Sequence, residues 1–148
     1  MAALRRFATR RSTLRLIDAN ANRALEGLRV CEEIVRFHLE AAPLFRRLRR
    51  LRHAIAAAIR ELPIDREDLL RARESRFDVG RQARASRVAS LEQTLVINLQ
   101  RTKEALRVLE ECARVTAPRH TSQLQRLRFT TYEIERDLLL SVATLRHS

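Results

Sequence analysis

Asn20, Arg23, Gly27 and Val30 recur at intervals of three, four and three residues, and the same intervals set Asn98, Arg101, Ala105 and Val108. That spacing puts each set on one face of a helix. An amide and a guanidinium beside a small residue can hold a phosphate or a polar heterocycle, the arginine through paired N–H···O bonds. Glycine inside a helix costs about 1 kcal/mol relative to alanine, so something should approach Gly27 closely. Two readings stand side by side: a ligand held by Asn20, Arg23, Asn98 and Arg101, or a neighbouring helix packed on the small residues.

Glu26, Arg29 and Glu33 lie on an adjacent face, and Glu104, Arg107 and Glu111 repeat them. Pairs at such spacing are usually a solvated ladder worth about 0.3–0.5 kcal/mol each. Their duplication also allows a site in which Glu26 or Glu104 holds Mg²⁺ and Arg29 or Arg107 binds phosphate oxygens. The stretch from Arg73 to Gly80 combines Arg, Ser, Asp and Gly in the most irregular part of the chain, so Asp78 and Gly80 could form a phosphate nest or metal contact there; a plain connector is the alternative.

Other chemistry is excluded or disfavoured. No glycine-rich phosphate loop ending in Gly-Lys-Ser/Thr and no protein-kinase signature occurs, so any phosphoryl transfer must be organised by arginines and acids on helices. His38, His53, His120 and His147 are scattered and form no nucleophile and base constellation. Cys31 and Cys112 sit in apolar helical stretches as small buried hydrophobes, and no Cys/His cluster has the spacing of a structural metal site.

The elements that carry these residues are legible from periodicity. Leu14, Ile17, Ala21, Ala24, Leu28, Cys31 and Val35 trace one apolar stripe, which predicts a helix from a cap at Ser12 or Thr13 to about Glu40. Residues 1–12, basic and without acid, read as a flexible leader rather than a targeting peptide. Pro43 fits the first turn of a second helix that breaks near Pro63, and the two helices should form an antiparallel hairpin. Asp65 caps a short helix ending near Glu74, and a loop follows over residues 75–80. A third helix starts at Ser86 or Ser90 and reaches Val115, with Val88, Leu91, Leu95, Leu99, Thr102, Leu106 and Leu109 on its inner side. A fourth runs from Thr121 to about Leu145. The arginines 46, 47, 49, 50 and 52 go right round the second helix and read as a solvated face.

An internal repeat organises all of this. Glu26-Gly-Leu-Arg-Val-Cys-Glu-Glu returns as Glu104-Ala-Leu-Arg-Val-Leu-Glu-Glu, and at the same offset of 78 residues Asn20 meets Asn98, Arg23 meets Arg101 and Arg36 meets Arg114. At an offset of 76, Leu48, Leu51 and Arg52 match Leu124, Leu127 and Arg128. The expected architecture is all-α: four main helices in two pseudo-repeated hairpins forming a bundle. It occupies one domain, residues 13–148, with halves 14–62 and 86–145 joined by 63–85.

Composition agrees. The 148 residues include 2 glycines and 3 prolines, and the chain is long enough to bury a core without staples. The net charge of +12 favours phosphate-bearing partners. Lys103 is the only lysine, so the charge is almost all guanidinium. At 4% aromatic content and with no recognised motif, nucleic-acid binding through charge is the weaker reading. The longest uncharged apolar run, residues 54–59, is too short to span a bilayer, and a cytoplasmic location is the default.

Residues 15–20, Asn22 and Arg23, 26–30, Glu32 and Glu33, and Arg36 and Phe37 together resemble the opening of the helical hydroxymethylpyrimidine phosphate kinase domain found ahead of some bacterial thiamine phosphate synthases. Residues 48–53, 72–75, 78–80 and 98–111 resemble that family's later blocks in the same order. The similarity covers about residues 14–140. It implies an ATP- and Mg²⁺-dependent transferase of thiamine biosynthesis, which phosphorylates 4-amino-5-hydroxymethyl-2-methylpyrimidine phosphate to the diphosphate and does not act on the unphosphorylated alcohol. On this resemblance Arg23 and Arg101 bind phosphate oxygens, Asn20 and Asn98 orient substrate, and Glu26, Glu104 or Asp78 make metal or hydroxyl-like contacts. The synthase barrel lies outside this sequence, so the resemblance implies a kinase rather than a synthase. A non-catalytic module docking on thiamine phosphate synthase, and a homo-oligomer, are the other partnerships it leaves open.

Overall fold

With so few glycines and prolines there is little to interrupt a helix, and the computed structural model, which describes residues 1–147, is helical along most of its length. Helix α1 spans Ala2–Ile34 and runs on through a π-helical turn, Val35–Leu39. Glu40 ends it in the left-handed region at φ 51°, a conformation that terminates helices because it turns the chain away from the axis. Helix α2 (Ala42–Glu61) has Pro43 in its first turn and stops ahead of Pro63. Helix α3 (Arg66–Ala72) is capped by Asp65, whose carboxylate accepts from the Glu67 amide. An irregular connection follows. Ser90 then caps α4 (Leu91–Thr116) by accepting from the Gln93 amide at 3.1 Å, while Gln93 Oε1 accepts from the Ala89 amide at 2.8 Å. A 3₁₀ turn, Pro118–His120, leads into α5 (Thr121–Arg146).

Among the described residues there is no strand, and the helices form the expected bundle of two hairpins, α1–α2 and α4–α5. Helices α1 and α4 are the central pair. They run antiparallel: Thr102 Oγ1 donates to Ala24 O at 3.4 Å, and Cys31 lies against Leu95 O at 3.8 Å. Because Thr102 is itself the repeat partner of Ala24, the contact between them lies at the pseudo-twofold axis. Helix α2 flanks α1, α5 flanks α4, and α2 and α5 touch each other. The apolar stripes meet in one core that includes Ile17, Leu28, Leu48, Ile55, Leu95, Leu99, Leu106, Leu109, Leu124 and Leu138. Each fully buried leucine contributes about 2 kcal/mol. Both cysteines are free and buried, and burial pushes the Cys31 thiol up to about 12.

Two buried ion pairs staple the hairpins in matching places. Arg52 holds Glu32 through Nε and, at 3.2 Å, Nη2; Arg128 holds Glu110 through Nε and, at 3.1 Å, Nη2. Both glutamates are 1% exposed. Each carboxylate needs the bidentate fork to offset the cost of its burial.

The structure corrects the sequence reading at several points. Helix α1 begins at Ala2 rather than after Ser12 or Thr13, since no breaker separates the two stretches and Thr9 and Thr13 bond back to carbonyls four residues earlier, as helical threonines do. Helix α4 begins at the second of its two possible caps, so Val88 lies outside it and both Val88 and Leu91 are exposed. Helix α3 ends at Ala72, and the irregular stretch extends well beyond residue 80. The α2 arginines are not all solvated: Arg52 holds Glu32, and Arg47 reaches Asp137 of α5 at 2.9 Å.

Candidate functional site

The core side of the α1–α4 contact is made of small residues. A methyl group added at Gly27 would stand 2.6 Å from Thr102 Oγ1 and 3.0 Å from Asn98 O, so glycine there allows α4 to lie directly against α1. The neighbour that approaches Gly27 is therefore the other half of the repeat. Toward solvent the longer side chains diverge and leave a cleft of about 450 Å³ lined by Asn20, Arg23, Glu26 and Gly27 from α1 and Asn98, Arg101, Glu104, Ala105 and Val108 from α4. Packing and cleft are two consequences of one helix crossing. A volume of this order lies in the range of small-molecule sites.

The antiparallel register orders the cleft lengthwise. Asn98 lies across from Gly27, and by the same register Asn20 lies across from Ala105; Arg23 and Arg101 come between. There is thus one cleft, shared by both halves. Asn20 and Asn98 are buried at its ends, and each Nδ2 donates to a carbonyl of its own helix, Leu16 at 2.8 Å and Thr94 at 2.9 Å. Among the described residues Arg23 and Arg101 make no ion pair with a carboxylate, whereas Arg29, Arg52, Arg73, Arg107 and Arg128 all do. Two guanidiniums without an ion pair thus line one cleft in a protein of net charge +12. Such a lining favours an anion such as phosphate.

Four residues singled out from the sequence do not line this cleft. Arg29 pairs with Glu33 at 2.9 Å and Arg107 with Glu111 at 3.1 Å, because nine helical residues place each about 180° round from Asn20 or Asn98. Asp78 Oδ1 accepts from the Gly80 amide at 2.7 Å in an exposed turn of the linker. The start of that linker is anchored away from the cleft. Arg73 donates to both oxygens of Asp18 at 2.7 Å, and Asp18 lies about 160° round α1 from Asn20. The bond to Asp18 raises the Arg73 pKa further, and the bond to Glu110 does the same for Arg128, so both stay charged.

Sequence reasoning missed the stapling role of Glu32 and Glu110. The signal was available, since both the glutamates and their arginine partners recur through the repeat. Lys103 was missed as well: it is buried, bonds Glu135 at 2.7 Å and sits 4.7 Å above the Tyr132 ring, with no counterpart in the first half, where Leu25 takes its place. No group of three or more Asp, Glu, His or Cys among the described residues could by itself hold a metal ion. No helix among them is long and apolar enough to cross a membrane.

Fold and cleft together define a class: two-hairpin helical bundles with a charged cleft on the axis of an internal repeat. Residues 15–137 match the model of the ThiD2 family, and the chain belongs to that family. It is 40% identical over 128 residues to a thiamine-phosphate synthase of Synechocystis sp., 84% of this chain and 36% of that protein. It is 37% identical over 141 residues to a thiamine-phosphate synthase of Rhodopirellula baltica, 93% of this chain and 37% of that protein. A third relative, a thiamine-phosphate synthase of Nostoc punctiforme, is 34% identical over 128 residues, 84% of this chain and 35% of that protein. The chain spans about a third of the length of these curated relatives. No solved structure matches.

Proposed function

We propose that this chain serves thiamine biosynthesis as a kinase, transferring the terminal phosphoryl group of ATP to 4-amino-5-hydroxymethyl-2-methylpyrimidine phosphate. The observation that carries the reading is the unpaired Arg23 and Arg101 in the shared cleft; the residue-by-residue resemblance supports it, and the names of the relatives support the link to thiamine biosynthesis.

The chemistry asked of such a site is modest in one respect and demanding in another. A phosphate monoester has its second pKa near 6, so the attacking oxygen is already anionic at neutral pH and needs no general base. This agrees with a cleft that holds no histidine or cysteine. The difficulty is the mutual repulsion of two polyanions, and the guanidiniums that line the cleft would oppose it. Arg23 and Arg101 bind phosphate oxygens of acceptor and donor and bring them together.

Two carboxylates, Glu26 and Glu104, share the cleft, which is too few for a cation held by protein alone. They suit Mg²⁺ that arrives on nucleotide phosphates, for which one or two carboxylates are usual. When bound, such an ion would neutralise negative charge on the phosphates. Asn20 and Asn98 orient the substrate. The unphosphorylated alcohol presents a neutral hydroxyl, for which the cleft offers no histidine base, and it should not react.

The test is product formation by the purified chain with Mg-ATP and either the monophosphate or the alcohol. Diphosphate from the monophosphate alone is the expected result. No turnover of either compound by folded, helical protein would overturn the kinase reading in favour of a module that docks on thiamine phosphate synthase.

A further inference from the structure

Asn20 and Asn98 are 5% and 8% exposed and occupy equivalent places at opposite ends of the cleft. Each donates Nδ2 to the carbonyl four residues back. A carbonyl only accepts, so this bond fixes which way each amide points and uses one of its two N–H groups. No protein donor among the described residues reaches either Oδ1, and neither oxygen is sealed in the interior without a partner. Each asparagine therefore keeps an Oδ1 able to accept an N–H or O–H, with one N–H of the same amide beside it.

The two ends differ in their walls. Asn98 faces Gly27, which is next to Glu26 as Ala105 is next to Glu104. Asn20 faces Ala105, and Val108 continues the lining on that side, whereas Val30, the repeat partner of Val108, does not line the cleft. Only the Asn20 end has an apolar wall fit for the face of a ring. Arg23 follows Asn20 by less than one helical turn, about 4.5 Å along the axis.

We infer that Asn20 is a specificity-determining residue: its Oδ1 accepts from the exocyclic amino group of an aminopyrimidine whose ring lies on Ala105 and Val108 and whose phosphate reaches Arg23 and Arg101. This assignment rests on the substrate reading given above. It makes the amino group the feature by which the cleft selects its ligand, since a ring without that donor leaves Oδ1 unpaired.

The experiment is calorimetric binding, without ATP, of the aminopyrimidine monophosphate and of an analogue with methyl in place of the 4-amino group. It is run on the unaltered chain, on Asn20→Leu and on Asn22→Leu, with circular dichroism to establish folding. The unaltered chain should prefer the amino compound by about 10- to 100-fold. Asn20→Leu should lose the preference, and Asn22→Leu, which removes the same kind of bond to the helix but does not line the cleft, should keep it. Absence of preference in the unaltered chain, or its loss in Asn22→Leu, overturns the assignment, and both readouts stand even if Asn20→Leu fails to fold. A preference that survives in Asn20→Leu also overturns it while leaving the kinase reading intact. Binding of neither compound by the unaltered chain removes the substrate reading itself and this inference with it.

Discussion

At the scale of single residues, the cleft and the core make opposite demands on neighbouring positions of one helix. Arg23 is exposed and unpaired, so Arg23→Ala should leave helicity and thermal stability almost unchanged while kcat/KM for the monophosphate falls about 10- to 100-fold, the worth of one charge-assisted contact. Equal activity in the variant would remove Arg23 from the site. Gly27, four residues on, is the reverse case. Gly27→Val would drive its side chain into Thr102 and the Asn98 carbonyl, and chemical denaturation should show a loss of about 2–3 kcal/mol. Cys31, also on α1, is fully buried with its thiol held up to about 12. Native protein at about pH 8 should resist alkylation there, and unfolded protein should react readily. The linkage has a definite sign: the folded state retains a proton that the unfolded state releases from about pH 9 upward, so this group lowers stability as pH rises from 9 toward 12 and has no effect below that window.

At the scale of elements, the same pair of residue types has two different values. Arg29 and Glu33 lie on the open surface of α1, with side chains 58% and 40% exposed, and their pairing is worth little. Glu32, one residue away, is buried against α2 and depends on Arg52. Glu32→Gln should cost about 2–3 kcal/mol by leaving the guanidinium without its counter-charge, and Glu110→Gln should cost a similar amount at the equivalent place in the second hairpin. Arg29→Ala should change stability by less than about 0.5 kcal/mol. Denaturant midpoints of the three variants would check this contrast, and equal losses in all three would refute it. Such ranking follows from packing, because residues 32 and 33 are both glutamates in the same repeated block and only their direction relative to α2 separates them.

At the scale of the whole molecule, the halves depend on each other. Helix α1 packs more extensively on α4 than on its own hairpin partner α2, so a fragment of residues 1–85 would expose the stripe through Ala24, Leu28 and Cys31. That fragment should not form a folded monomer by circular dichroism and size-exclusion chromatography; either it remains unfolded or two copies pair, each standing in for the other half. A monomeric fragment with full helicity would contradict this account. The cleft has the same dependence, since half of its lining comes from each repeat and neither half contains it alone.

Much of this was legible in the residues. Periodicity gave the all-helical class, Asp65 and Pro43 marked helix starts while Ser86 and Ser90 were left as alternatives for a third, and the repeat announced two equivalent hairpins with α1 and α4 at the centre, because local propensity and one-sided burial act within a single helix. It also put Asn20, Arg23, Asn98 and Arg101 on corresponding stripes. What periodicity cannot convey is which surface each stripe meets. Only the antiparallel register of α1 on α4 brought the two stripes into one cleft and made α4 the neighbour that Gly27 accommodates. Such contacts join residues about 80 positions apart, and they are set by how whole side-chain surfaces fit together rather than by the spacing of residues along either helix.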